Sequence, residues 1–166
     1  MNMGNKRLKW IRLILWILTV AMGVTIFSLS AQEGPESSAA SDAVVRFIIQ
    51  MIDPDFDALP EADQISVFAF VKKLVRKGAH FAEFAMLGCL IRLLISSYGL
   101  RCGTRWSWLA GTLYACTDEL HQLFVSARAA MWQDVALDSF GVLAGIMAAH
   151  TMLVLLDRYG KRRTGT

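Results

Sequence analysis

The chain has no phosphate-cradling glycine loop, no nucleophile elbow and no paired-cysteine metal motif, so the nucleotide-dependent and hydrolase functions that announce themselves by short motifs find no support. Cysteine is scarce and odd in number: Cys89 and Cys116 fall at mid-span depth and Cys102 in a loop. None is placed for an external disulfide, and free thiols are expected. Short alternating strands are missing, which excludes a β-barrel. No internal repeat or low-complexity tract divides the chain, so residues 1–166 read as one domain. Charge is thin as well, with 19% of residues Asp, Glu, Lys or Arg against 55% hydrophobic. A mean hydropathy of +0.43 is too high for a soluble domain.

What is present is long apolar runs. Four windows, 10–29, 79–97, 106–125 and 134–156, approach the roughly 20 residues that a helix needs to cross about 30 Å of hydrocarbon. An all-α bundle of four transmembrane helices is expected, since a lone segment can satisfy its own backbone in lipid only as a helix. Basic residues set its orientation. Lys6, Arg7, Lys9 and Arg12 precede the first window, Arg101 and Arg105 separate the second and third, and Arg158, Lys161, Arg162 and Arg163 follow the fourth. Both termini are therefore expected in the cytoplasm. Lys72, Lys73, Arg76 and Lys77 form the one basic tract against that rule. The net charge of +3 hides two faces of opposite sign and points to anionic lipid as the partner of the basic tails, not to nucleic acid.

Ser28, Leu29 and Ser30 resemble a signal-cleavage site, but the apolar core before them exceeds the usual 7 to 15 or so residues, so a retained helix is expected. Residues 31–41 read as a flexible exit from the bilayer. Two short amphipathic segments, 44–52 and 65–75, flank the acidic turn Asp53-Pro54-Asp55-Phe56-Asp57. In the second, Ile65, Phe68, Ala69, Val71 and Leu74 are spaced as one helical face, which is expected to lie at the outer interface and run into the second span. Short connections make the second, third and fourth spans neighbours, with the first held more loosely.

Ionisable side chains then stand where lipid tolerates few. A charge at the bilayer centre costs from about 3 to more than 10 kcal/mol, so such groups face inward. His80 and Glu83 open the second span, Asp118, Glu119, His121 and Gln122 close the third, and Asp134 and Asp138 open the fourth. All lie within roughly 10 Å of the outer surface at 1.5 Å per residue. In the inner half, Arg92 can snorkel to the interface and His150 reads as a packed or interface histidine. His80 with Glu83 and Asp118 with His121 are i,i+3 neighbours, and Asp118 with Gln122 is an i,i+4 pair. Asp134, Asp138, Gly141 and Gly145 share a stripe whose small residues let helices approach, so the acids on it point into the bundle. Glu83, Asp118, Glu119, Asp134 and Asp138 cannot all be ionised in a small apolar volume without compensation. Arg76, Lys77 and Arg128, with His80 and His121 protonated, could supply it as ion pairs. A divalent metal on ligands drawn from His80, Glu83, Asp118 and His121 could supply it instead.

Three ordered blocks carry a family resemblance. Arg76-Lys77-x-x-His80-Phe81-x-Glu83-Phe84-x-x-Leu87-Gly88, Asp118-Glu119-x-His121-Gln122-x-Phe124, and Arg128-x5-Asp134-x3-Asp138-x-x-Gly141-x3-Gly145 together resemble the VanZ-like family of bacterial membrane proteins. Ile26-Phe27-x-x-Ser30-x-Gln32 resembles it too. Asp138 stands where the family pattern often has Asn. The resemblance implies a multi-pass plasma-membrane protein and associates the chain with low-level resistance to the glycopeptide teicoplanin. It supplies no mechanism.

Four functions compete. A binding protein would use the outward polar pocket, lined by Arg76, Lys77, His80, Glu83, Asp118, Glu119, Gln122, Arg128, Asp134 and Asp138, to meet a glycopeptide or a lipid-linked cell-wall ligand at the outer leaflet. An enzyme would use Glu83, Asp118 or Glu119 as base and His80 or His121 as acid or metal ligand, acting on a lipid-linked head group. An ion-coupled transporter should carry polar groups through the whole bilayer depth, which this chain lacks. In a purely structural reading the charges only lock the helices together.

Overall fold

A computed structural model describes the backbone of residues 3–31, 35–123 and 131–164, and the side chains of all of these except 3–4, 35–41 and 163–164. The described residues are all-helical: α1 (Met3–Ala31), α2 (Pro35–Ile52), a 3-10 turn (Phe56–Ala58), α3 (Glu61–Ser97), α4 (Gly103–Gln122) and α5 (Trp132–Thr164). They form two compact units, residues 32–80 and residues 1–31 with 81–166.

The smaller unit is a helical hairpin. Pro35 opens α2, its fixed φ and missing N–H suiting the first helical position. Residues 35–41, expected as a flexible exit, are therefore already helical. The chain turns at the acidic segment, where the Asp53 carboxylate accepts the Asp55 N–H at 3.2 Å. The Gln64 amide holds the turn by donating to the carbonyls of Asp57 and Leu59. Val45, Ile49 and Phe56 are buried against Leu59, Phe68, Val71 and Val75, and Lys72 pairs with Asp42 at 2.5 Å. The two amphipathic segments thus do pack, but on a face through Phe68, Val71 and Val75. Ile65 and Leu74, assigned to it by spacing, are exposed.

The larger unit packs α1, the C-terminal part of α3, α4 and α5. Gly99, at a φ of +66°, ends α3 in the left-handed conformation that costs glycine least, and α4 begins four residues later. Gly141 and Gly145 of α5 lie against the backbone of Phe81 and Ala85, while Gly88 of α3 lies against that of Val142. Because both numbers rise together, α3 and α5 run parallel. Ile26, Phe84, Leu87, Ala115, Val142 and Ile146 are buried between the helices.

Helix α1 packs on α4 less extensively than α5 does, as its long connection suggested, yet specific contacts anchor it. The Arg12 guanidinium donates to the Ser97 carbonyl at 2.7 and 3.2 Å and lies over the Tyr98 ring at 4.2 Å. Farther along, the Tyr114 hydroxyl donates to the Gly23 carbonyl at 2.6 Å. A loop's length sets only its closure entropy, which grows slowly. Arg12→Ala is expected to lower stability by about 1.5–3 kcal/mol, the usual weight of hydrogen bonds from a charged donor, measured as a lower unfolding temperature in detergent.

Among the described residues, three helices are long and apolar enough to cross a membrane: Asn5–Ala31, Glu61–Ser97 and Trp132–Arg162. The expected third span coincides with α4, which is not among them. Ser, Thr, Tyr and the run from Asp118 to Gln122 dilute its apolar content. Its polar groups are nevertheless turned inward: Ser107, Asp118, Glu119 and Gln122 are buried, while Trp106, Trp108, Leu109, Leu113 and Leu120 are exposed. The outer faces of α1 and α5 are also apolar. Water would penalise so wide an apolar surface, whereas hydrocarbon would not.

Candidate functional site

The last two turns of α4 supply the centre. Helical spacing puts Ala115, Asp118, Glu119 and Gln122 on its inward side, and all four are buried, Asp118 to 1% exposure. One carboxylate oxygen of Asp118, Oδ2, accepts the Ser30 hydroxyl of α1 at 2.8 Å and the Gln122 amide at 3.0 Å. The other, Oδ1, has no hydrogen-bond partner among the described residues. A buried acceptor left unmet costs about 1–3 kcal/mol, more when charged, so this oxygen is the least expected feature of the molecule.

Glu83 and Asp138 join it from α3 and α5. Glu83 is half-buried, and its Oε2 also lacks a partner among the described residues. Asp138 is 3% exposed and lies within electrostatic reach of Asp118, Asp134, Glu119 and Glu83. Carboxylate oxygens of Asp118 and Asp138 come within 4.8 Å. Two unit charges near 5 Å repel by roughly 3 kcal/mol at an effective dielectric constant of about 20, so the fold brings these acids together against a repulsion that has to be offset.

Glu119 has a separate task. Its Oε1 accepts the Met131 N–H at 2.6 Å, immediately before α5. The opening N–H groups of a helix have no partner within it, and a carboxylate placed there also favours the helix dipole. Glu119 thus fixes the start of the helix that presents Asp134 and Asp138. His121 also reaches α1, stacking on Phe27 with ring centroids 4.0 Å apart and planes 23° apart, and its Nε2 is buried without a hydrogen-bond partner among the described residues. The i,i+3 spacing of Asp118 and His121 thus lets both meet α1.

Arg76, Lys77 and His80 belong to the smaller unit; His80 is half-buried on α3, three residues before Glu83. Arg128 lies outside the described residues. At the opposite end of the larger unit, Arg92 bonds the Ser96 hydroxyl and approaches the His150 Nδ1 at 3.5 Å. His150 is exposed, in keeping with an interface histidine and not a packed one.

Sequence reasoning noted Ser30 in the family pattern but gave this fully buried hydroxyl no place in the cluster. The signal was available: Ile26 and Ser30 are four apart, and both turn inward. Ser30→Ala would leave Asp118 with the Gln122 amide alone and is expected to cost about 1–3 kcal/mol. A lower unfolding temperature, with Ser30→Thr closer to the native protein, would register it.

The model of the family described as VanZ/LLP1 matches residues 14–155. No curated protein and no solved structure matches the chain.

Proposed function

Because the chain belongs to the VanZ/LLP1 family, we propose that it is a multi-pass protein of the bacterial plasma membrane that binds the donor-rich, cationic head of an outer-leaflet ligand. On this reading α4 is the fourth crossing, its polar side covered by its neighbours. Both termini are cytoplasmic, as the basic residues at the start of α1 and the end of α5 support. The acidic cluster, at the other end of these helices, then faces outward. The observation that carries the reading is Asp118 itself: a carboxylate buried, oriented by Ser30 and Gln122, with one oxygen unspent. A carboxylate serving only as a lock would be expected to use both oxygens.

The ligand classes that fit are a lipid-linked cell-wall intermediate and an amine-bearing, teicoplanin-type glycopeptide, whose capture would lower susceptibility to it. In a strain lacking this protein, expression of the native chain is expected to raise the inhibitory concentration of teicoplanin several-fold. The Asp118→Asn variant, at equal membrane abundance, is expected to leave it unchanged. Equal protection by both would overturn the role given to the carboxylate, and no protection by either would remove the antibiotic from the ligand classes.

The spacing of the Asp118 and Asp138 oxygens favours one alternative. Those two carboxylates, with Glu83 of the same unit added, offer the hard oxygen donors that divalent cations take. The protein would then be a metal-dependent enzyme acting on a lipid-linked head group, with the metal polarising the bond to be cleaved. Elemental mass spectrometry of the purified chain decides: near-stoichiometric metal, lost in Glu83→Gln and Asp118→Asn, supports the enzyme, and metal-free native protein excludes this site.

A further inference from the structure

Below the acidic cluster, the larger unit carries a second feature that the cluster's own chemistry does not use. A groove of about 460 Å³ runs between α1, α3 and α4, walled by Val20, Gly23, Phe27, Leu87, Ala110 and Tyr114 among others. Its volume falls within the roughly 300–1,000 Å³ of small-molecule sites. The walls are nearly all carbon, and the polar groups near them are already spent. The Tyr114 hydroxyl donates to the Gly23 carbonyl at 2.6 Å, and the Thr19 hydroxyl donates to the Leu15 carbonyl at 2.7 Å. Nothing in the groove asks for a polar guest. The apolar outer faces of the same helices place its open side against hydrocarbon, so a chain can enter sideways without crossing water.

The groove ends beside the cluster. Phe27 is both a wall of the groove and the ring on which His121 stacks. Ser30, three residues farther along α1 and about 4.5 Å higher at 1.5 Å per residue, holds Asp118. A guest lying along α1 therefore has its upper end one helical turn from the unspent oxygens of Asp118 and Glu83. Both of those atoms accept hydrogen bonds and bring negative charge, so the complementary head carries donors and positive charge.

We infer that the groove between α1, α3 and α4 is the slot for one hydrocarbon chain of an amphiphile whose protonated amine head reaches Asp118 and Glu83. The inference rests on the head-group reading above and adds the tail to it: the ligand is a single entity read at both ends.

Octadecylamine and octadecanoic acid share a chain and differ in the sign of the head, which makes them the probes. The full-length protein in detergent is incubated with each, and bound copies are counted by native mass spectrometry. One octadecylamine is expected per chain, bound at least about tenfold more tightly than the acid, a difference of about 1.4 kcal/mol. Ala110→Trp fills the groove from an exposed position and is expected to abolish binding of both. Asp118→Asn is expected to retain chain binding and lose the preference for the amine. Both variants are first checked for native helicity and a monodisperse elution profile. Should Ala110→Trp misfold, Val20→Trp fills the same groove from α1.

Several equivalent bound copies, or native-like binding in the groove-filled variant, would mean ordinary annular lipid and overturn the slot. A chain bound in the groove with no head preference would overturn the head-group reading and the joint ligand while leaving the tail site. Failure of the amine to bind at all, with metal or glycopeptide binding intact, would overturn the slot alone.

Discussion

Gly145→Val is expected to leave almost no folded protein in the membrane fraction. A β-carbon at this position of α5 would overlap the Ala85 carbonyl oxygen and crowd the Cys89 amide. These are backbone atoms of α3, so no rotamer change relieves the clash. The contact is reciprocal, because Gly88 of α3 presses in the same way on the backbone of Val142. Overpacking of this kind costs about 1–3 kcal/mol when side chains can move aside and more when they cannot, out of a total stability of roughly 5–15 kcal/mol. In a bilayer, close backbone approach is itself the main source of helix association. Gly78→Ala supplies the contrast. Nothing lies within 4 Å of a β-carbon there, and trading glycine for alanine inside a helix gains about 0.5–1 kcal/mol. Fluorescence-detected size exclusion of tagged variants should show the first peak collapse and the second stand at or above the native level.

Asp118→Asn is expected to remove function while sparing the fold. The amide keeps an oxygen for the Ser30 hydroxyl and the Gln122 amide, so the packing of α1 against α4 survives. What it loses is the charge offered to a cationic guest. Amine binding should therefore weaken by about tenfold or more, to the level of an uncharged or acidic head on the same chain. Asp118→Leu behaves differently, because it deprives two buried donors of their acceptor and is expected to impair folding as well. The contrast between the two variants separates what the carboxylate does for a ligand from what it does for the bundle.

The sequence makes the helices legible because long apolar runs have one stable form in lipid, and it makes the acidic stripe legible because charges there must face inward. Gly141 and Gly145 could be placed at a helix contact by their spacing alone. The division of labour within the cluster could not be seen. Asp118, Glu119 and His121 are adjacent on one turn, yet they respectively present an unspent oxygen, support the start of α5 and stack on α1. Those fates depend on Ser30, Met131 and Phe27, which lie far off in sequence or carry no charge to attract notice. The same limit hid the groove, since Gly23 and Ala110 read as ordinary spacers in apolar runs. The polar anchors of α1 were likewise invisible, because a carbonyl acceptor such as that of Ser97 leaves no mark on residue type.

The central claim is that the carboxylates are gathered for a ligand, against their own repulsion, and not to lock the helices. The most direct test is the unfolding temperature of the ligand-free protein beside Glu83→Gln, Asp118→Asn and the double variant, in one detergent at neutral pH. A site held under repulsion should gain or keep stability when its charges are removed, with the double variant unfolding at or above the native temperature. A fall of about 4 °C or more in the double variant, equivalent to about 1–2 kcal/mol for a chain of this size, would show that the charges hold the bundle together and would contradict the claim.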